Sequence, residues 1–163
     1  MKYETKDNFL ILTEKSLILK LRSLGAGIEE GDETKITFLE AAYFAERGVL
    51  PISKDELLEL ASRTDKLYKE KFLVIKYLRD HGYIVRPSLD GTPYLRLHRK
   101  GYRPGEDKTY YLIEVVKKDW TASSDSLAAP LETAGKLRKE LAIAIVGDDK
   151  EPKFLKFARL NFE

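Results

Sequence analysis

The feature that most constrains this chain is a change of period at Gly82. Before it, Tyr68, Phe72, Ile75 and Leu78 recur at spacings of four and three, which puts them on one face of a helix over about residues 65–80. After it, apolar residues gather into short runs at 83–85, 94–98, 110–116, 141–146 and 154–160. These runs are of strand length and rich in Val, Ile, Leu and Tyr. Residues 130–139, between two of the runs, read as a crossover helix with Pro130 in its first turn. A chain that changes period at one glycine and carries a helix between two strands forms a mixed sheet flanked by helices.

The first third reads as smaller elements. Residues 9–12 (FLIL) and 17–21 (LILKL) are strand candidates, followed by a turn at Gly25, Gly27 and Gly31. Thr37 with Glu40, and Ser53 with Glu56, have the spacing of capping boxes and mark two helix starts; Gly48 stops the first helix. The expected fold is α+β. A small N-terminal α/β module spans residues 1–65, and a C-terminal mixed β-sheet domain flanked by helices spans 66–163.

Composition excludes several classes. There is no Cys, so disulfides and thiolate metal sites are ruled out. Only His81 and His98 could offer imidazole, and neither a metal nor a cofactor is expected. No apolar run approaches the roughly 20 residues of a membrane span, and the first residues lack a signal-peptide core, so the expected location is the cytoplasm. Net charge is only +2, yet Arg96, Arg99, Lys100 and Arg103 crowd one segment that contains no acid. That segment suits phosphate contacts, with Tyr102 as a stacking surface; the plain alternative is a solvated loop.

Three stretches carry a family resemblance. Residues 38–50, FLEAAYFAERGVL, resemble the N-terminal-domain signature of archaeal-type tRNA-splicing (tRNA-intron) endonucleases. Residues 72–86, FLVIKYLRDHGYIVR, are similar to the family's helix-turn-strand. The sheet pattern from Gly91 to Val146 contains GKLRKEL followed by AIAIV, as the family's last strands do. The resemblance covers nearly the whole chain. It implies a metal-independent nuclease that cuts precursor tRNA at a bulge-helix-bulge and leaves a 2′,3′-cyclic phosphate and a 5′-hydroxyl. A Tyr acts as general base, a His as general acid, and a Lys stabilises the charged phosphorane.

The triad is incomplete in this sequence. At the Tyr position stands Leu97 or His98, at the His position Lys108, and at the Lys position Lys139, with Lys136 one helical turn earlier as its alternative. The resemblance therefore points to a degenerate, non-catalytic subunit that joins a catalytic chain in a heterotetramer. A substituted triad of His98, Lys108 and Lys139, or a general RNA-binding domain, are the competing readings. His98 otherwise reads as a half-exposed strand residue, and His81 as structural at a helix end. Two features suit assembly: the loop bearing Asp148, Asp149 and Glu151, which the resemblance implies docks on a basic pocket, and the terminal strand with Phe154, Leu155 and Phe157. Their plain alternatives are a hairpin turn and pairing within the chain's own sheet.

Overall fold

The computed structural model describes residues 3–87, 92–98, 100, 109–158, 160 and 162. Among these, five helices and two sheets divide between two compact units. The division falls inside a helix, with residues up to Lys76 in the first unit and those from Tyr77 in the second.

The first unit has a four-stranded antiparallel sheet. Its strands are β1 (Glu4–Lys6), β2 (Phe9–Leu12), β3 (Ile28–Glu30) and β4 (Glu33–Thr37), in the order β1-β2-β4-β3. Helix α1 (Lys15–Ser23) contains the LILKL segment, so the strand expected there is corrected to helix. An apolar run that short does not distinguish the two periods, and burial of Leu21 decides for the helix. The strands β3 and β4 meet in a hairpin at Gly31. Gly27 has φ +76°, and a Cβ there would lie 2.6 Å from the Thr34 side chain.

Helices α2 (Phe38–Glu46) and α3 (Lys54–Ser62) start where the caps place them. Thr37 Oγ1 accepts from the Glu40 N–H, and Ser53 Oγ from the Glu56 N–H. Helix α4 (Tyr68–Asp80) ends at Gly82, φ +89°, where the Tyr83 N–H reaches back to the Leu78 carbonyl at 3.0 Å. Six-to-one bonding around a left-handed glycine is a common helix stop. His81 adds to it, its Nδ1 lying 2.6 Å from the Tyr77 carbonyl.

The second unit is a five-stranded sheet in the order β5 (Ile84–Pro87), β6 (Leu95–His98), β7 (Thr109–Lys117), β8 (Glu140–Val146) and β9 (Lys153–Phe157). Strands β7 and β8 are parallel, joined by helix α5 (Ser124–Lys136); the other neighbours are antiparallel. The expected start of this helix at Pro130 is corrected to Ser124. Ser123 and Ser126 cap each other's backbone N–H groups, leaving Pro130 buried inside the helix. A Ser at the third helical position replaces the Glu or Gln that marks such a box, so the start is hard to read. Residues Leu112, Val116, Ala134, Leu141 and Ile143 form the dry core between α5 and the sheet. Fully burying each of the larger ones contributes about 1.5–3 kcal/mol.

Candidate functional site

Three chain segments meet at one end of the inner strands of the second sheet. Strand β6 ends at His98, β7 begins at Thr109, and β8 begins at Glu140. In the register, His98 faces Thr109 and Tyr111 faces Glu140. Because β7 and β8 are parallel, both start at this end.

Lys139 arrives there through the stop of α5. Arg138 takes φ +54°; its N–H donates to the Gly135 carbonyl at 3.1 Å, and the Lys139 N–H donates to the Ala134 carbonyl at 2.9 Å. This bond pair is the Schellman arrangement, with arginine where glycine is usual. The left-handed backbone costs about 1–2 kcal/mol there. Lys139 is half-buried, immediately before β8. Lys136 sits in the last turn of α5, paired with Glu132 at 3.1 Å.

His98 is 5% exposed. The expected half-exposed residue is therefore corrected to a buried one, because β6 is an inner strand: His98 pairs with Ile84 on one side and Thr109 on the other. The β6–β7 register shifts between Leu97 and His98, an irregularity that re-aims side chains. Lys108, Arg99, Tyr102 and Arg103 lie outside the described residues.

Arg96 is half-buried, opposite Arg86 of β5 and Leu112 of β7. Two guanidinium-bearing residues lie opposite each other across the ladder. Arg86 was not among the sequence candidates; only the strand register reveals it. Lys100 is exposed, with its Nζ 4.9 Å from the centre of the Tyr83 ring. A second group the sequence did not single out lies under α5. Burial pushes the Glu114 carboxyl above its ordinary range. Burial also raises the Tyr94 hydroxyl, Glu114 adds to that shift, and a hydrogen bond with Thr133 offsets part of it.

The acidic loop is a turn between β8 and β9 in which the Lys150 N–H donates to the Gly147 carbonyl at 3.1 Å. Asp148 pairs with Lys118, Asp149 lies 3.8 Å from Lys153, and the Glu151 N–H donates to Asp149 Oδ1. All three acids are exposed. Strand β9 ends at Phe157, earlier than the expected 160, and is an edge strand of the sheet. Phe154 and Leu155 are 37% and 46% exposed, and Phe157 is half-buried against Trp120.

Among the described residues there is no cluster of three or more His, Asp or Glu that could hold a metal ion, and no helix long and apolar enough to cross a membrane.

Residues 68–154, from the first residue of α4 into β9, match the family model for the tRNA intron endonuclease catalytic C-terminal domain. The chain belongs to the tRNA intron endonuclease family. It is 28% identical to a tRNA-splicing endonuclease of Pyrococcus abyssi over 98% of this chain and 96% of that one. It is 31% identical to that of Thermococcus onnurineus over 78% and 77%, and 30% identical to that of Methanothermobacter thermautotrophicus over 74% of each. For this tRNA intron endonuclease chain, the matched segment contains every described strand end that forms the candidate site.

Proposed function

We propose that this chain takes part in intron cleavage from precursor tRNA as a non-catalytic subunit, assembled with a catalytic chain in a heterotetramer. One observation carries the reading. The position that the family resemblance assigns to the catalytic Tyr holds His98, 5% exposed inside the sheet, or Leu97 beside it. A general base must come within about 2.6–3.2 Å of the ribose hydroxyl it deprotonates. An imidazole buried between two strands is poorly placed for that, and Leu97 has no group to offer.

What remains suits a supporting role. Arg86 and Arg96, opposite each other in the ladder, are candidates for phosphate contacts, as is the exposed Lys100 elsewhere in the second unit. The edge of β9 offers unpaired backbone groups for strand addition from a catalytic subunit, with Leu155 and Phe157 on its α5-side face. Asp148, Asp149 and Glu151 project a negative loop suited to a basic pocket on another subunit. The ion pairs of Asp148 and Asp149 with nearby lysines are exposed, so exchanging them for a partner's cations costs little.

The test is reconstitution. The purified chain is expected to leave a bulge-helix-bulge RNA intact. Adding a family member that carries Tyr, His and Lys should restore cutting and give a complex whose mass fits two copies of each chain. Cleavage at the intron boundaries by this chain alone contradicts the reading.

A further inference from the structure

The sheet face opposite α5 carries an open groove of about 720 Å³, within the second unit. Its walls are rings: Tyr77 and His81 at the end of α4, Tyr83, Tyr110 and Tyr111 from β7, and Phe154 from β9. His81 stacks on Tyr77 at 4.2 Å between centres, and Tyr77 meets Phe154 at 5.8 Å. Across the groove Tyr110 meets Tyr111 at 6.1 Å. Tyr110 is 38% exposed, although it lies on a strand at the middle of the sheet. The floor is made by Leu97, Ile113 and Ala142.

The chemistry of the lining selects an occupant. A volume of this size lies in the range that holds a small ligand or a short piece of a larger one. Lys156 lines the groove, and Lys100 Nζ lies over the ring of Tyr83, one of its wall residues. The adjacent acid, Glu140, is already bonded to Lys156 at 3.0 Å. Partly exposed rings, with Lys156 on the lining and Lys100 at the Tyr83 ring, match the pattern of single-stranded nucleic-acid platforms, where bases stack on aromatics and cations follow the backbone. A groove shaped only for another protein's apolar side chains needs neither the tyrosine hydroxyls nor the lysines.

We propose that this groove stacks unpaired bases of a bulged or single-stranded RNA segment between the Tyr77–Phe154 and Tyr110–Tyr111 walls, with Lys156 and Lys100 beside the flanking phosphates. The inference rests on the reading that the chain works on RNA, and it adds a base-binding site to it. It is compatible with strand addition at β9. Such pairing uses backbone groups, while Phe154 and Lys156 point to the groove face with Ala144 and Ala142, their register partners.

The experiment compares the full chain with a Tyr110→Leu/Phe154→Leu variant, which keeps apolar area and removes two rings. The probes are a bulged RNA duplex with 4-thiouridine in the bulge and the fully paired duplex at the same salt. The variant should bind the bulged RNA about tenfold more weakly and the paired duplex unchanged. Ultraviolet crosslinks of the wild-type chain should fall in peptides 109–117 and 153–157. Wild-type affinity of the variant for the bulged RNA, or crosslinks found only elsewhere, overturns the proposal. So does intact RNA affinity accompanied by loss of a dimer, which assigns the groove to a second copy. If the reconstituted enzyme cuts normally while the variant binds as wild type, the groove assignment alone fails. If reconstitution never yields cutting, the functional reading fails.

Discussion

The two faces of the second sheet are built from the same strands and differ in kind. In β8, Leu141, Ile143 and Ile145 point to α5, while Ala142 and Ala144 point the other way. In β7, Leu112 and Val116 join the α5 side, whereas Tyr111 and Ile113 line the groove. Large aliphatic side chains meeting a helix close into a dry core. Alanines flanked by rings leave a space, and its walls stay partly exposed. The alternation along β8 thus separates a face of large aliphatics packed on α5 from a face of buried alanines beside which the groove opens.

Mutations on the two faces should therefore differ most in stability. Ile143→Ala, at a fully buried site, is expected to cost about 2–5 kcal/mol in urea unfolding. A cost as small as that of a surface substitution breaks the comparison. Ala142→Leu puts bulk into the groove from a buried floor position, with a stability cost of about 1–3 kcal/mol from overpacking and a loss of bulged-RNA binding. A large loss of stability there would mean that the groove face is as tightly packed as the other.

Glu114 sharpens the picture of the α5 side. Its folded carboxyl titrates above its unfolded value because burial disfavours the ion. The protonated form is the one that folding favours. Its contribution is fully present below the unfolded value of about 4.3 and is lost as pH rises through the folded value. Glu114→Gln should therefore raise the urea midpoint at pH 7, and the gain should disappear near pH 4. An equal gain at both pH values would show that the carboxyl is not desolvated. The smallest effect belongs to Lys156→Gln, which breaks an exposed pair with Glu140 and should leave the midpoint unchanged while weakening RNA binding.

Much of the fold was readable because its determinants are local. Thr37 and Ser53 announce helix starts by side-chain chemistry within three residues, and Gly82 announces a stop by its backbone freedom. The LILKL segment misled because four or five apolar residues fit either period, and tertiary burial of Leu21 decides. The true start of α5 was hidden by a Ser–Ser box. The site was less legible. The burial of His98 depends on strands supplied by Ile84 and Thr109, and the Arg86–Arg96 pairing depends on register. The groove collects rings from segments far apart in sequence, and no periodicity connects Tyr77 with Phe154.

The most direct measurement pairs this chain with a catalytic family member whose own catalytic His has been replaced by Ala, and follows a bulge-helix-bulge precursor under single-turnover conditions. The complex is expected to assemble, bind the RNA and leave it uncut, because neither chain then holds a working set of proton-transfer groups. Cutting that persists, and that His98→Ala abolishes, would establish a working active site in this chain and contradict the account.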